Sequence, residues 1–213
     1  MNERRIVLIG AGDHGRVAAE LARAAGWNVV GYVEPDARPD DPGRRVADLP
    51  ILGSLEEPAG WLDPGLAFAC TLGDNRRRAA AWERCRGLGL SPAALVHPTA
   101  TLLGGAIVED GAQVCAGAIV GVDARVGADA ILNTAATLDH DGRLMAHAQV
   151  GPGAHLAGRV IVEEGAFVGT GASVIPGCHI GAWSVIAAGA TVIADVAPDI
   201  RVGGVPAKPL GGD

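Results

Sequence analysis

Large side chains are scarce in this chain. Two Phe, one Tyr and four Trp make 3% of 213 residues, beside only two Met. An ordinary wide core needs such side chains to fill it, so their shortage argues for a narrow, repetitive interior. The length still allows one or two domains and a substantial buried core. Positive charge is not in excess either: the formal net charge is −7. Nucleic acid and anionic membranes both reward clustered Lys and Arg, so neither is expected as a partner, and a small molecule is. Cys70, Cys85, Cys115 and Cys178 lie far apart and form no C-x-x-C pair. Met1-Asn2-Glu3-Arg4-Arg5 leads into an apolar run too short for a signal or a membrane span. The expectation is a reduced, cytoplasmic protein.

What the chain has in abundance is glycine, 32 residues, and a period. Every sixth residue from Val96 to Val192 is aliphatic, 17 in succession, and four residues after each comes a small residue or a valine, from Ala100 to Val196. A period of six fits neither a helix nor an alternating strand. It fits a coil of three short strands and 18 residues, with the aliphatic inward, the small residue in a tight corner and glycines in the turns. Seventeen repeats make about six coils, stacked at ~4.8 Å into a prism ~27 Å tall.

Residues 1–95 lack that period. RRIVLIGAGDHGRVAAELARAAGWNVVGYVEPD reads as strand, glycine turn, amphipathic helix with Val17 and Leu21 on its apolar side, strand, then carboxylates. LAFACTLGDNRRRAAAWERCRGLG repeats strand, loop and helix, so a small parallel, Rossmann-like α/β domain is expected. Gly10-Ala11-Gly12-Asp13-His14-Gly15 with Glu34 downstream nominally meets the NAD fingerprint. The domain is too short for two mononucleotide-binding halves, which favours a ligand carrying one nucleotide. Its phosphates would approach the helix N-terminus through the glycines.

NTAATLDHD, residues 133–141, sets His140 between Asp139 and Asp141. On the six-residue ruler His140 is the third residue of the repeat that begins at Leu138, so it does not point inward. An acceptor on one ring nitrogen fixes the tautomer and leaves the other to act as a base. One coil of 18 residues further, Gly158 stacks on His140, where no side chain intervenes and a bare backbone N–H could stabilise a developing negative charge.

Both halves, in this order, resemble the bacterial nucleotide-amino-sugar N-acetyltransferases of the hexapeptide-repeat superfamily, a sialic-acid O-acetyltransferase-like group that includes enzymes acting on bacillosamine and perosamine precursors. The resemblance rests on GAGDHGRV, GYVEPD, LGDNRRR, the repeat, N-T-x-x-x-D-H-D and the closing GVPAK. It implies a left-handed β-helix over residues 96–197, followed by a tail, 198–213. It also implies acetyl-CoA as co-substrate, with no metal. The acceptor would be a UDP- or GDP-linked amino sugar. His140 would then be the general base, Asp141 its support, Asp139 a helper and Asn133 a substrate contact. Gly12, Asp13, His14, Glu34, Asp36 and Gly73 would line the nucleotide end. His147, on the next face, would meet acetyl-CoA, and Thr170 and Ala188, one coil apart, would line the pantetheine groove. Arg201 and Lys208 would pair with CoA phosphates. Prisms of this kind associate as homotrimers with the donor groove between subunits.

Two rival chemistries use the same prism. O-acetylation of a sialic-acid-type hydroxyl needs the same base, and the nucleotide-binding half favours an amine. A zinc site of the γ-carbonic-anhydrase kind needs two ligands five residues apart. His140, His147 and His155 are spaced by seven and eight.

Overall fold

The computed structural model describes residues 4–36, 44–63 and 65–211. The first three residues, used above to judge the N-terminus, and the last two of the tail lie outside the described residues. The chain divides into two compact units, Met1–Val96 and His97–Asp213.

The first unit is a sheet in the order β3-β4-β2-β1-β5-β6, built from β1 (Arg5–Ile9), β2 (Asn28–Glu34), β3 (Arg45–Val46), β4 (Leu49–Ser54), β5 (Ala67–Cys70) and β6 (Ser91–Pro92). All neighbours run parallel except the edge pair β3 and β4. Ile6 to Ile9 and Phe68 to Cys70 are fully buried, which is why these strands are unbroken apolar runs and not alternating ones. Helix α1 (Asp13–Ala24) follows β1, and α2 (Asn75–Gly87) follows β5. The buried side of α1 is Gly15, Ala18, Ala19, Leu21 and Ala22. Val17, read from the sequence as apolar-face, is 47% exposed. Spacing of i, i+3, i+4 and i+7 from Gly15 selects the small residues, because a thin face lets the helix lie close to the sheet.

The second unit is a left-handed β-helix. Its first face stacks Gln113–Val114, Ile131–Leu132, Gln149–Val150, Phe167–Val168, Val185–Ile186 and Arg201–Gly203. The second runs from Thr101–Leu102 to Thr191–Val192, and the third from Ile107–Val108 to His179–Ile180. From Thr101 to Val192 strands 18 residues apart pair in parallel, as at Ile131↔Gln149 and Thr137↔His155. From Val114 to Val192 the ruler aliphatics are buried, forming the thin column the composition requires. The first coil departs from that expectation: Leu102 is 41% exposed, because its strand has a neighbour on one side only. Described thiols are all free and buried; burial pushes Cys115 up to about 12, so it packs as a small neutral group.

A third register, not singled out above, governs the corners. Every sixth residue from Gly105 to Gly189 has positive φ, and seven of these are not glycine: Asp123, Asp129, Ala135, Asp141, His147, Arg159 and Trp183. A side chain there costs about 1–2 kcal/mol, least for Asp. At exposed Ala135, φ 55°, no side-chain function offsets it. Ala135→Gly is therefore expected to stabilise the protein by about 0.5–1 kcal/mol, after the extra chain entropy of glycine is deducted, and to raise Tm in a thermal melt. An unchanged or lower Tm would contradict the strain.

Candidate active site

In the first unit, β1, β2 and β5 run the same way, so their following loops share the carboxyl edge of the sheet. The chain moves from β1 to β2 and β4 on one side and returns to β5 on the other, which makes this edge a topological switch point, where α/β sheets bind ligands. The three glycines of the first loop have different reasons to be there. Gly10 has φ +110°, and a Cβ would lie 2.7 Å from Leu72 Cδ2; at Gly15 it would lie 2.3 Å from the Gly10 carbonyl oxygen. Packing fixes both. Around Gly12, the N-cap of α1, nothing lies within 4 Å, and the same holds at Gly73. Open space at the helix N-terminus is what a phosphate needs.

Asp13 opens α1 and is exposed, His14 follows half-buried, and Glu34 ends β2. Asp36 forms an ion pair with Arg77 from the first turn of α2. Arg77 and its neighbour Arg78 were quoted in LGDNRRR without a role. Arg78 is fully buried and its Nη1 donates to Asn75 Oδ1 at 2.6 Å, bracing the loop that carries Gly73. Thr71 Oγ1 donates to the carbonyl oxygens of Ile9 and Gly10 at 3.0 and 2.6 Å, tying this loop to the glycine turn.

In the second unit His140 occupies the corner between the second and third faces. Its Nδ1 lies 2.8 Å from Asp141 Oδ2, and its backbone N–H donates to Asp139 Oδ1 at 2.6 Å. A carboxylate only accepts, so Nδ1 carries the proton and Nε2 keeps its lone pair. That nitrogen is directed at Gly158, where a Cβ would be 2.2 Å away. The Gly158 N–H donates to no backbone carbonyl among the described residues. The Nε2 atom of His140 and the Gly158 backbone therefore meet at one corner. Beside them, on the second face, a groove of about 420 Å³ is lined by Thr137, Asp139, His155, Ser173, Ile175 and Pro176. Thr137 Oγ1 and His155 Nδ1 are 3.1 Å apart in it. From the sequence, His155 is marked only by its spacing from His147. Its signal was the outward column Thr137, His155, Ser173 at intervals of 18.

The remaining expected contacts do not join this corner. Asn133, Thr170 and Ala188 lie along the edge between the first and second faces. His147 is neither on a face nor a surface residue: it turns the corner between the third and first faces at φ 58°, 9% exposed, with Nδ1 2.8 Å from Oδ2 of the fully buried Asp129. Seven residues advance one position more than a repeat, and so end in the turn. His140, His147 and His155 thus stand at two different corners and on a face, an arrangement unlike a shared metal site. Arg201 and Lys208 lie on neighbouring antiparallel strands of the tail.

Comparison with known proteins gives a consistent picture. The PglD N-terminal domain family matches residues 5–85. PerB from Caulobacter crescentus, solved with CoA and GDP-perosamine, is 37% identical over 97% of each chain, with a TM-score of 0.87. The acetyltransferase domain of PglB from Neisseria gonorrhoeae, solved with acetyl coenzyme A, is 35% identical over 98% of this chain and 100% of its own, with a TM-score of 0.89. WeeI from Acinetobacter baumannii shares the fold at 19% identity, with a TM-score of 0.85 over 96% of this chain and 99% of its own. The comparison with curated proteins gives no match.

Proposed function

The chain belongs to the nucleotide-amino-sugar N-acetyltransferases of the hexapeptide-repeat superfamily, and we propose that it transfers acetyl from acetyl-CoA to the amine of a UDP- or GDP-linked 4-amino sugar. The observation that carries this is the His140 corner: a base with its tautomer fixed by Asp141, facing a glycine that exposes a backbone amide. The relatives solved with CoA and with GDP-perosamine support the choice of co-substrates.

In the reaction, the acceptor nitrogen attacks the thioester carbonyl while Nε2 of His140 takes its proton. Asp141 stabilises the charge the ring then carries. The carbonyl electrons move onto oxygen, where the Gly158 N–H donates to them. Collapse of this adduct breaks the carbon–sulfur bond, and the departing CoA sulfur receives the proton held by His140, giving the amide and free CoA. Thr170 and Ala188 line the pantetheine arm, His147 supports the donor, and Arg201 and Lys208 pair with CoA phosphates. Asn133 positions the acceptor, and Asp139 holds the His140 backbone. Gly12, Asp13, His14, Glu34, Asp36 and Gly73 hold the nucleotide. The working form is a homotrimer. A cytoplasmic location accords with the free thiols and with the supply of both co-substrates; among the described residues no helix is long and apolar enough to cross a membrane.

The test is a panel of UDP-, GDP- and dTDP-4-amino sugars with acetyl-CoA, following thiol release. Turnover with a product resistant to hydroxylamine is expected; a hydroxylamine-labile product would mean an ester, hence O-acetylation. Tight NAD binding with no response to any nucleotide sugar would defeat the proposal. Gly12→Val should leave Tm unchanged, since nothing packs there, and weaken nucleotide-sugar binding by at least about tenfold in calorimetry, because its branched side chain occupies the phosphate's approach. Unaltered affinity would move the nucleotide away from this loop.

A further inference from the structure

We infer that the base of the nucleotide sugar is guanine, and that the ion pair of Asp36 with Arg77, at the carboxyl edge of the first unit's sheet, reads it. This rests on the nucleotide-sugar reading of that edge and narrows it to one base.

The pair joins the loop after β2 to the first turn of α2, which follows β5. Strands β2 and β5 flank β1, so the pair links the loops on either side of the glycine loop. The open space at Gly12 suits a phosphate. Glu34, the last residue of β2, holds the position from which a carboxylate meets a ribose hydroxyl in such sheets. Asp36 stands two residues further along the same loop, where the base comes next. Its side chain is 75% exposed and that of Arg77 60%. An ion pair so open to water contributes little to stability, so the fold does not account for a carboxylate and a guanidinium brought together from positions 41 residues apart.

The hydrogen-bonding pattern of the pair selects the base. Beyond its contact with Asp36, the guanidinium keeps N–H groups to donate, and the carboxylate keeps lone pairs on both oxygens to accept. Side by side they offer a row of donors followed by a row of acceptors. The edge of guanine presents the complement in the same order, with N7 and O6 as acceptors and then N1–H and N2–H as donors. Arg77 takes the first two and Asp36 the last two. Uracil presents one acceptor, one donor and a second acceptor, so its O2 would face a carboxylate oxygen with no hydrogen between them. Adenine follows N7 with an amino group and then an acceptor, which sets donor against donor and acceptor against acceptor beyond the first contact pair. A carboxylate also repels phosphate, which argues against the diphosphate as the group that Arg77 holds.

Calorimetry with GDP and UDP tests the assignment on the intact protein, independently of turnover. The wild type should bind GDP at least about tenfold more tightly than UDP, as expected when a bidentate contact to one base is lost on the other. Arg77→Ala should weaken GDP by about tenfold or more and UDP by less. Asp36→Asn replaces one acceptor by a donor, which opposes a guanine N–H and welcomes uracil O2, so the preference should reverse in favour of UDP. Both side chains are exposed, and circular dichroism of the two variants should match the wild type. UDP binding by the wild type as tight as that of GDP would overturn the choice of guanine. Equal fractional losses for GDP and UDP in Arg77→Ala would place the guanidinium on the diphosphate common to both, and an unchanged preference in Asp36→Asn would take the carboxylate away from the base; either result overturns the reading of the pair. Binding of neither nucleotide would defeat the nucleotide-sugar reading itself, and the choice of base with it.

Discussion

Replacing His140 by alanine is expected to lower kcat by on the order of 10²- to 10⁴-fold while leaving the Kd for acetyl-CoA unchanged. The ring is needed when the acceptor nitrogen loses its proton, which happens in the transition state, and no donor group binds through it. Nothing in the fold depends on the ring: it is exposed, and the corner is held by main-chain bonds, from the Arg159 N–H to the His140 carbonyl and from the Asp141 N–H to that of Val122. Melting temperature should therefore stay near that of the wild type. Asp141→Asn should cost less, about 10- to 10²-fold, because an amide still accepts the Nδ1–H bond but gives no charge to support the imidazolium. Single-turnover rates with saturating acetyl-CoA and a nucleotide amino sugar separate these effects from product release. Near wild-type turnover in His140→Ala would take this histidine out of the chemistry and make it a binding contact.

The parts that could be read in advance share a physical cause. The β-helix was legible because each coil repeats the same three demands, an inward aliphatic, a small corner residue and a turn, so seventeen weak signals reinforce one another. The 18-residue stacking that follows from the period sets Gly158 against His140, and Nε2 faces that glycine. Registers fail where the repetition ends. Leu102 obeys the ruler and is nevertheless exposed, because burial needs a coil on both sides. His147 shows the other limit: a spacing of seven suggests the next face, whereas it ends on the left-handed turn residue, beside a buried aspartate one coil below. That Asp129 would accept the His147 ring could not be seen without knowing that both occupy the turn register. In the first unit the glycine motif gave the loop but not the division of labour within it. Gly10 and Gly15 answer to Leu72 and to a carbonyl oxygen, contacts made only when strand, helix and loop are assembled. Arg78 illustrates the same gap, since nothing in the run Arg76–Arg78 marks its last member as the buried support of the loop.

Gly158→Ala should lower kcat by roughly 10- to 10³-fold and leave the fold intact, an effect out of proportion to one methyl group. The added Cβ would lie 2.2 Å from His140 Nε2, 2.5 Å from Cε1 and 2.8 Å from Cδ2, so the ring and the methyl cannot both keep their places. The backbone at Gly158 has no positive φ, so alanine is not strained there, and the corner above and below is fixed by the Arg159 N–H to the His140 carbonyl and the Gly177 N–H to the Gly158 carbonyl. What yields is the side chain that ends in solvent. Swinging the imidazole aside breaks its 2.8 Å contact with Asp141 and turns Nε2 away from the acceptor, which costs catalysis and almost no stability. The double variant His140→Ala/Gly158→Ala separates this from any direct use of the Gly158 amide. If the methyl acts only through the ring, it should add nothing once the ring is gone, and the double variant should match His140→Ala within about twofold. A further loss of tenfold or more in the double variant would show that the methyl also displaces the amide from the developing oxyanion, and the ring-displacement account would fail as the sole explanation.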